Sequence, residues 1–139
     1  MKNCDEKFVL TLTREQASIV EDACELYARL KIGQFNRITE MMLRVSASED
    51  YCFRREIANN ILKSAACIIF GMNAYGMPDC KQDTEHHRAW DVYQVLRYTR
   101  SWHDHPEGGF TVNFDKPMTF IGEPLPVCEI VEGSKDGKK

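Results

Sequence analysis

HHRAWDVYQVLRYTRSWHDHPEGGFTVNF, residues 86–114, is the stretch around which the remainder of the chain has to pack. At ~100° per residue, Ala89, Val92, Tyr93 and Leu96 share one face of a helix, and Val95, Tyr98 and Trp102 share a second. A helix apolar over more than half its girth needs neighbours on two sides. Its polar remainder is a narrow stripe of Asp91, Gln94, Arg97 and Ser101. Trp90 lies beside Arg97 in that stripe, either as the edge of the core or as a contact surface. Pro106-Glu107-Gly108-Gly109 breaks the helix, and Phe110, Val112 and Phe114 then alternate with polar residues as in a short strand.

Upstream, Asp83 or Thr84 is placed to cap this helix, and His105-Pro106 cannot continue it. Residues 71–83, GMNAYGMPDCKQD, carry the glycines, Asn73 and Pro78 of a structured loop. Before it, residues 49–70 read as a helix with Ile57, Ala58, Ile61, Leu62, Ala65, Ile68 and Ile69 inward. Ser46-Ala47-Ser48-Glu49 makes a capping box at its start, and Gly71 follows its end. A second capping box, Thr13 to Gln16, opens the first helix. Ala17, Val20, Ala23, Cys24, Tyr27 and Leu30 form its apolar face, with Glu15, Ser18, Asp22, Glu25 and Arg29 opposite. Gly33 suits the left-handed position after that helix, and a second helix follows from Gln34, with Phe35, Ile38, Met41, Met42 and Val45 on one side.

At the other end of the chain, Phe8, Leu10 and Leu12 alternate with Val9 and Thr11, and the expectation is that this segment pairs with Phe110–Phe114. Two five-residue strands are marginal as an isolated pair, so they must lie on the helices or be extended by another copy. The fold class expected is therefore α+β, mainly α: about four helices with a two-stranded antiparallel sheet joining the chain ends. Three prolines, Pro117, Pro124 and Pro126, make the following segment an extended arm. Residues 1–131 read as one globular domain and 132–139 as a disordered tail.

Composition narrows the function classes. A net charge of −3 provides no footprint for a phosphate backbone, so a nucleic-acid partner is disfavoured. The opening Met1–Glu6 is polar, so no signal peptide is expected, and the longest apolar run, Ala65 to Phe70, is too short for a bilayer. The expected setting is a reducing cytoplasm, where the six cysteines stay free. None of them forms a C-x-x-C pair.

The histidines fall at opposite ends of the main helix, His86-His87 and His103-Asp104-His105, too far apart to share one metal. Cys80 with His86 or His87, completed by another chain, is a weak metal alternative, because thiolate and imidazole suit zinc. No G-x-S-x-G, P-loop, dinucleotide fingerprint or H-E-x-x-H is present. The most suggestive set is Arg88, Trp90, Tyr93, Arg97, Tyr98 and Arg100, with Asn73 and Tyr75 from the preceding loop. Guanidinium forks take phosphate or carboxylate and aromatic faces stack on bases, so these residues together suit a small anionic nucleotide. The plainer alternative is that the aromatics are core and the arginines pair with Glu85, Asp91 and Asp104.

The segments LTREQASIVEDACELYARLKIGQF, NAYGM, RAWDVYQVLR, HPEGGFTVNFDKPM and EPLP together resemble a family of small proteins encoded by tailed phages and prophages, across about Leu10 to Pro126. The resemblance implies a setting, the cytoplasm of an infected bacterium, and no catalytic residues. The reading is a homo-oligomeric accessory protein without a cofactor or catalysis. It binds a host protein or sequesters a small anionic, nucleotide-like ligand, as counter-defence proteins do. Alternatives are a metal- or thiol-dependent enzyme and a DNA-associated replication accessory.

Overall fold

Thr13 opens α1 (Arg14–Lys31) through a reciprocal capping box: the Gln16 amide donates to Thr13 Oγ1 at 3.2 Å, and the Thr13 amide donates to Gln16 Oε1 at 2.9 Å. A Schellman motif closes it. Gly33, at φ 78°, sends its amide to Leu30 O at 3.0 Å, and Gln34 sends its own back to Arg29 O at 2.9 Å. The computed structural model, which describes residues 6–43, 45 and 49–133, continues through α2 (Asn36–Met42), α3 (Glu49–Phe70) and α4 (Thr84–Asp104) to a 3-10 turn at Val112–Phe114. The capping box at residues 46–49 lies outside the described residues except for Glu49, as do residues 134–139 of the tail.

α1 and α4 form an antiparallel pair whose register is written in charged contacts. Arg14 meets Asp104, Glu21 meets Arg100, the Ala28 carbonyl meets His86, and Lys31 meets Asp83 and Glu85. The carboxylates of Asp83 and Glu85 are held below their usual range chiefly by Lys31, and that of Asp104 chiefly by Arg14. A depressed folded-state value contributes stability above the unfolded value and loses it as the pH falls through the folded one. Burial raises Glu21 and Asp91, which act in the opposite sense, so the ladder is best read through a difference. The gap in thermal midpoint between the native chain and Lys31→Met, open at pH 7, is expected to narrow as the pH falls through the carboxylate range, followed by circular dichroism at each pH.

Between α1 and α4 the chain makes a long excursion. α2 touches both α1 and α3, whereas α3 packs on α2 and on no other helix among the described residues. Phe70 at the end of α3 meets Phe35 edge to face at 6.0 Å. Gly71, at φ 80°, stops α3, and residues 71–83 turn back through an isolated antiparallel bridge between Met72 and Pro78. The returning strand of that loop presses on Gly33: a Cβ there would sit 2.9 Å from Cys80 Sγ.

Three expectations are overturned. The sheet joining the chain ends does not form, and the bridge at Met72 is the sole β pairing among the described residues, so the fold is mainly helical. Phe8 and Val9 are 91% and 94% exposed. The opposite segment coils instead into the 3-10 turn, where Phe114 docks edge to face on Trp102 at 5.4 Å across the bare Gly109 backbone. A ring packed on the helix end competes with two short strands that lack a third, and the local contact wins.

Secondly, part of the polar stripe of α4 is covered: Asp91 and Gln94 are buried alongside Val95, while Arg97 and Ser101 of the stripe are half-buried, as are Val92, Tyr93, Leu96 and Tyr98. The cause is the C-terminal arm, whose Met118 amide donates to Gln94 Oε1 at 3.0 Å and whose Met118 carbonyl accepts from Gln94 Nε2 at 2.6 Å. An arm without secondary structure brings unpaired backbone groups, and only a polar helix face satisfies them. α4 is thus flanked by α1 and the arm, not wrapped by every other helix.

Thirdly, the inward face of α1 is turned from the expected one. Glu25 is buried and Tyr27 is exposed. Glu25 takes Arg29 Nε at 2.8 Å on one oxygen and Arg37 Nη2 at 2.6 Å on the other, tying α2 to α1 by charge.

Candidate ligand-binding site

Where the C-terminal end of α1 meets the first turns of α4, a pocket of about 260 Å³ opens. Helical spacing alone places His86, His87 and Trp90 together on α4, one turn apart. The Asp83 carboxylate, capping the His86 amide at 2.7 Å, fixes where that turn begins. Arg29, Ile32 and Gln34 come from the α1 corner, Gln82 from the loop and Phe120 from the arm.

The aromatic walls are ordered. His86 lies nearly parallel to Trp90 at 6.4 Å, and His87 nearly parallel to Phe120 at 5.7 Å. Over the Trp90 ring stands the Arg29 guanidinium, 5.6 Å from its centre. Arg29 is fixed from behind: Nε donates to Glu25, and Nη1 donates to Gln34 Oε1 at 2.7 Å. Among the described residues Nη2 is left without an acceptor. Because Glu25 is shared with Arg37, it does not fully offset either charge.

His86 is buried, and its Nδ1 lies 2.8 Å from the Ala28 carbonyl. A carbonyl only accepts, so Nδ1 carries a proton. Farther along α4 the column continues, with Tyr93 4.8 Å from Trp90 and the Arg97 guanidinium 5.1 Å from Tyr93. A flat ring system carrying one negative group suits such a site: faces to stack on, a cation at the edge, and amide and imidazole groups for ring nitrogens or hydroxyls.

Of the eight residues singled out from the sequence, Trp90 alone lines this pocket. Tyr93 and Arg97 extend its aromatic column. Asn73 is occupied in its own loop, accepting the Tyr75 amide at 2.9 Å and the Met77 amide at 3.1 Å, and Tyr75 projects outward. Arg88 clamps the arm through a bidentate pair with Glu123 at 2.9 and 2.5 Å. Tyr98 packs on Trp102, and Arg100 is paired with Glu21. Sequence reasoning missed Arg29, Gln34, Gln82 and Phe120. One signal was present for Phe120: an aromatic between prolines in an arm is held by whatever it lands on.

Among the described residues no three His, Cys, Asp or Glu side chains converge as for a metal ion. Burial also raises the Cys80 thiol, which keeps it protonated. The five cysteines among the described residues are free. No described helix is long and apolar enough to cross a membrane. Set against family models, curated proteins and solved structures, the chain finds no match in any of the three.

Proposed function

We propose that the protein sequesters a small planar anion, of the size of a mononucleotide, and does not transform it. The observation that carries this reading is the Arg29 guanidinium seated on Trp90 at the edge of a pocket whose aromatic walls are His86, His87 and Phe120. One fixed cation matches one phosphate, and the stacked rings match a base. Nothing in this pocket pairs a nucleophile with a base, which favours holding over turnover. The resemblance to small phage and prophage proteins supports a setting in an infected bacterial cytoplasm, where removing a signalling nucleotide serves counter-defence.

Two measurements test the reading. Small molecules released by denaturing the purified protein are examined by mass spectrometry, and the folded protein is titrated with adenosine monophosphate and cyclic AMP while tryptophan emission is followed. A saturable change is expected, present in Trp102→Phe and abolished in Trp90→Phe, with affinity lowered about tenfold or more in Phe120→Ala. No released nucleotide together with no saturable response up to millimolar ligand would discard it.

A further inference from the structure

α3 has two apolar faces, and α2 covers one. On that side Ala66 is fully buried, and Ala58 and Leu62 are half-buried. Roughly opposite, Phe53, Ile57 and Ile61 form an i, i+4 ridge that runs on past Ser64 and Ala65 to Ile68. Phe53 is 61% exposed, Ile61 64% and Ile68 83%. Beside Ile61 the small side chains of Ser64 and Ala65 leave a shallow, open groove. No other described element of the chain reaches this ridge.

We infer that a second copy of this chain covers it, the two α3 helices crossing antiparallel in a homodimer. The apolar residues buried within the chain are, among those described, Ala28, Ala66 and Val95. So small a core does not offset the entropy of ordering the backbone, and the covering surface has to be present whenever the chain is folded. A copy made alongside meets that condition, whereas a host protein encountered later does not.

The ridge is also complementary to itself. Antiparallel about residue 59, it sets Phe53 over the groove at Ser64 and Ala65 of the other copy and Ile57 against Ile61. A parallel pairing sets Phe53 on Phe53 and Asp50 beside Asp50. Ridges of this spacing cross at about −50°.

Sedimentation equilibrium on the full chain tests the inference. At ~10 µM the expected mass is twice the chain mass, falling to one chain in Ile61→Glu, whose dissociation constant rises by about a hundredfold or more. Ser64→Leu guards against loss of folding, because it keeps the helix and adds apolar surface while filling the groove. It is expected to weaken the dimer about tenfold. A native chain that is a single folded copy at that concentration, including one that binds another protein through this ridge, overturns the inference. So does an Ile61→Glu chain of unchanged mass, or a Ser64→Leu dimer as tight as the native one.

Discussion

Glu25→Ala lowers stability by about 2–3 kcal/mol, read as a fall in the urea midpoint with the slope preserved. Removing the carboxylate leaves Arg29 and Arg37 as two like charges without the anion they share. Their side chains are 33% and 27% exposed, so the cost sits below that of a fully buried pair. Glu25→Gln keeps an acceptor for one arginine and is expected to lose about half as much. Because Arg37 belongs to α2 and Arg29 to the pocket, the substitution also loosens the α1–α2 corner and the cation over Trp90. A midpoint unchanged in Glu25→Ala would show that the two arginines are solvated independently.

Gln94→Ala frees the C-terminal arm. Its side chain makes both hydrogen bonds to the Met118 backbone, one donated and one accepted, at a position 4% exposed. Their loss, about 2–3 kcal/mol, is expected as roughly hundredfold faster hydrogen exchange at the Met118 amide, with exchange in α1 little changed. Phe120 sits two residues beyond and stacks on His87, so the nucleotide response should weaken in the same variant. Arg88→Ala, which removes only the exposed pair with Glu123, should cost far less. Equal exchange rates in the two variants would count against Gln94 as the anchor.

Several helix boundaries were legible because local chemistry signals them, though α2, expected from Gln34 to Val45, runs only from Asn36 to Met42 and has no side-chain cap. Thr13 and Gln16 cap reciprocally, Gly33 and Gly71 adopt the left-handed conformation that ends a helix, and Asp83 caps α4. The faces were less legible. Periodicity assigns the apolar side inward, but Glu25, Asp91 and Gln94 are buried because their partners, Arg37 and the Met118 backbone, arrive from distant parts of the chain. The strands failed for the same reason in reverse: alternation at Phe110–Phe114 is a local pattern, and Trp102 offered the ring a nearer contact than Phe8–Leu12 did. Of the pocket, Trp90 could be suspected from its place in a polar stripe. Arg29 could not, since its role depends on where α4 crosses α1.

The ion pair between Arg14 and Asp104 joins positions 90 residues apart. During synthesis, then, α1 leaves the ribosome long before the partner that completes it exists, and α4 must clear the exit tunnel before any rung of their ladder can close. Meanwhile α2 and α3 are already available to each other, and in the dimer proposed above the bare α3 ridges of neighbouring nascent chains on one message would meet first. Assembly on the polysome would then precede, and help to shield, the slow closure of the long loop.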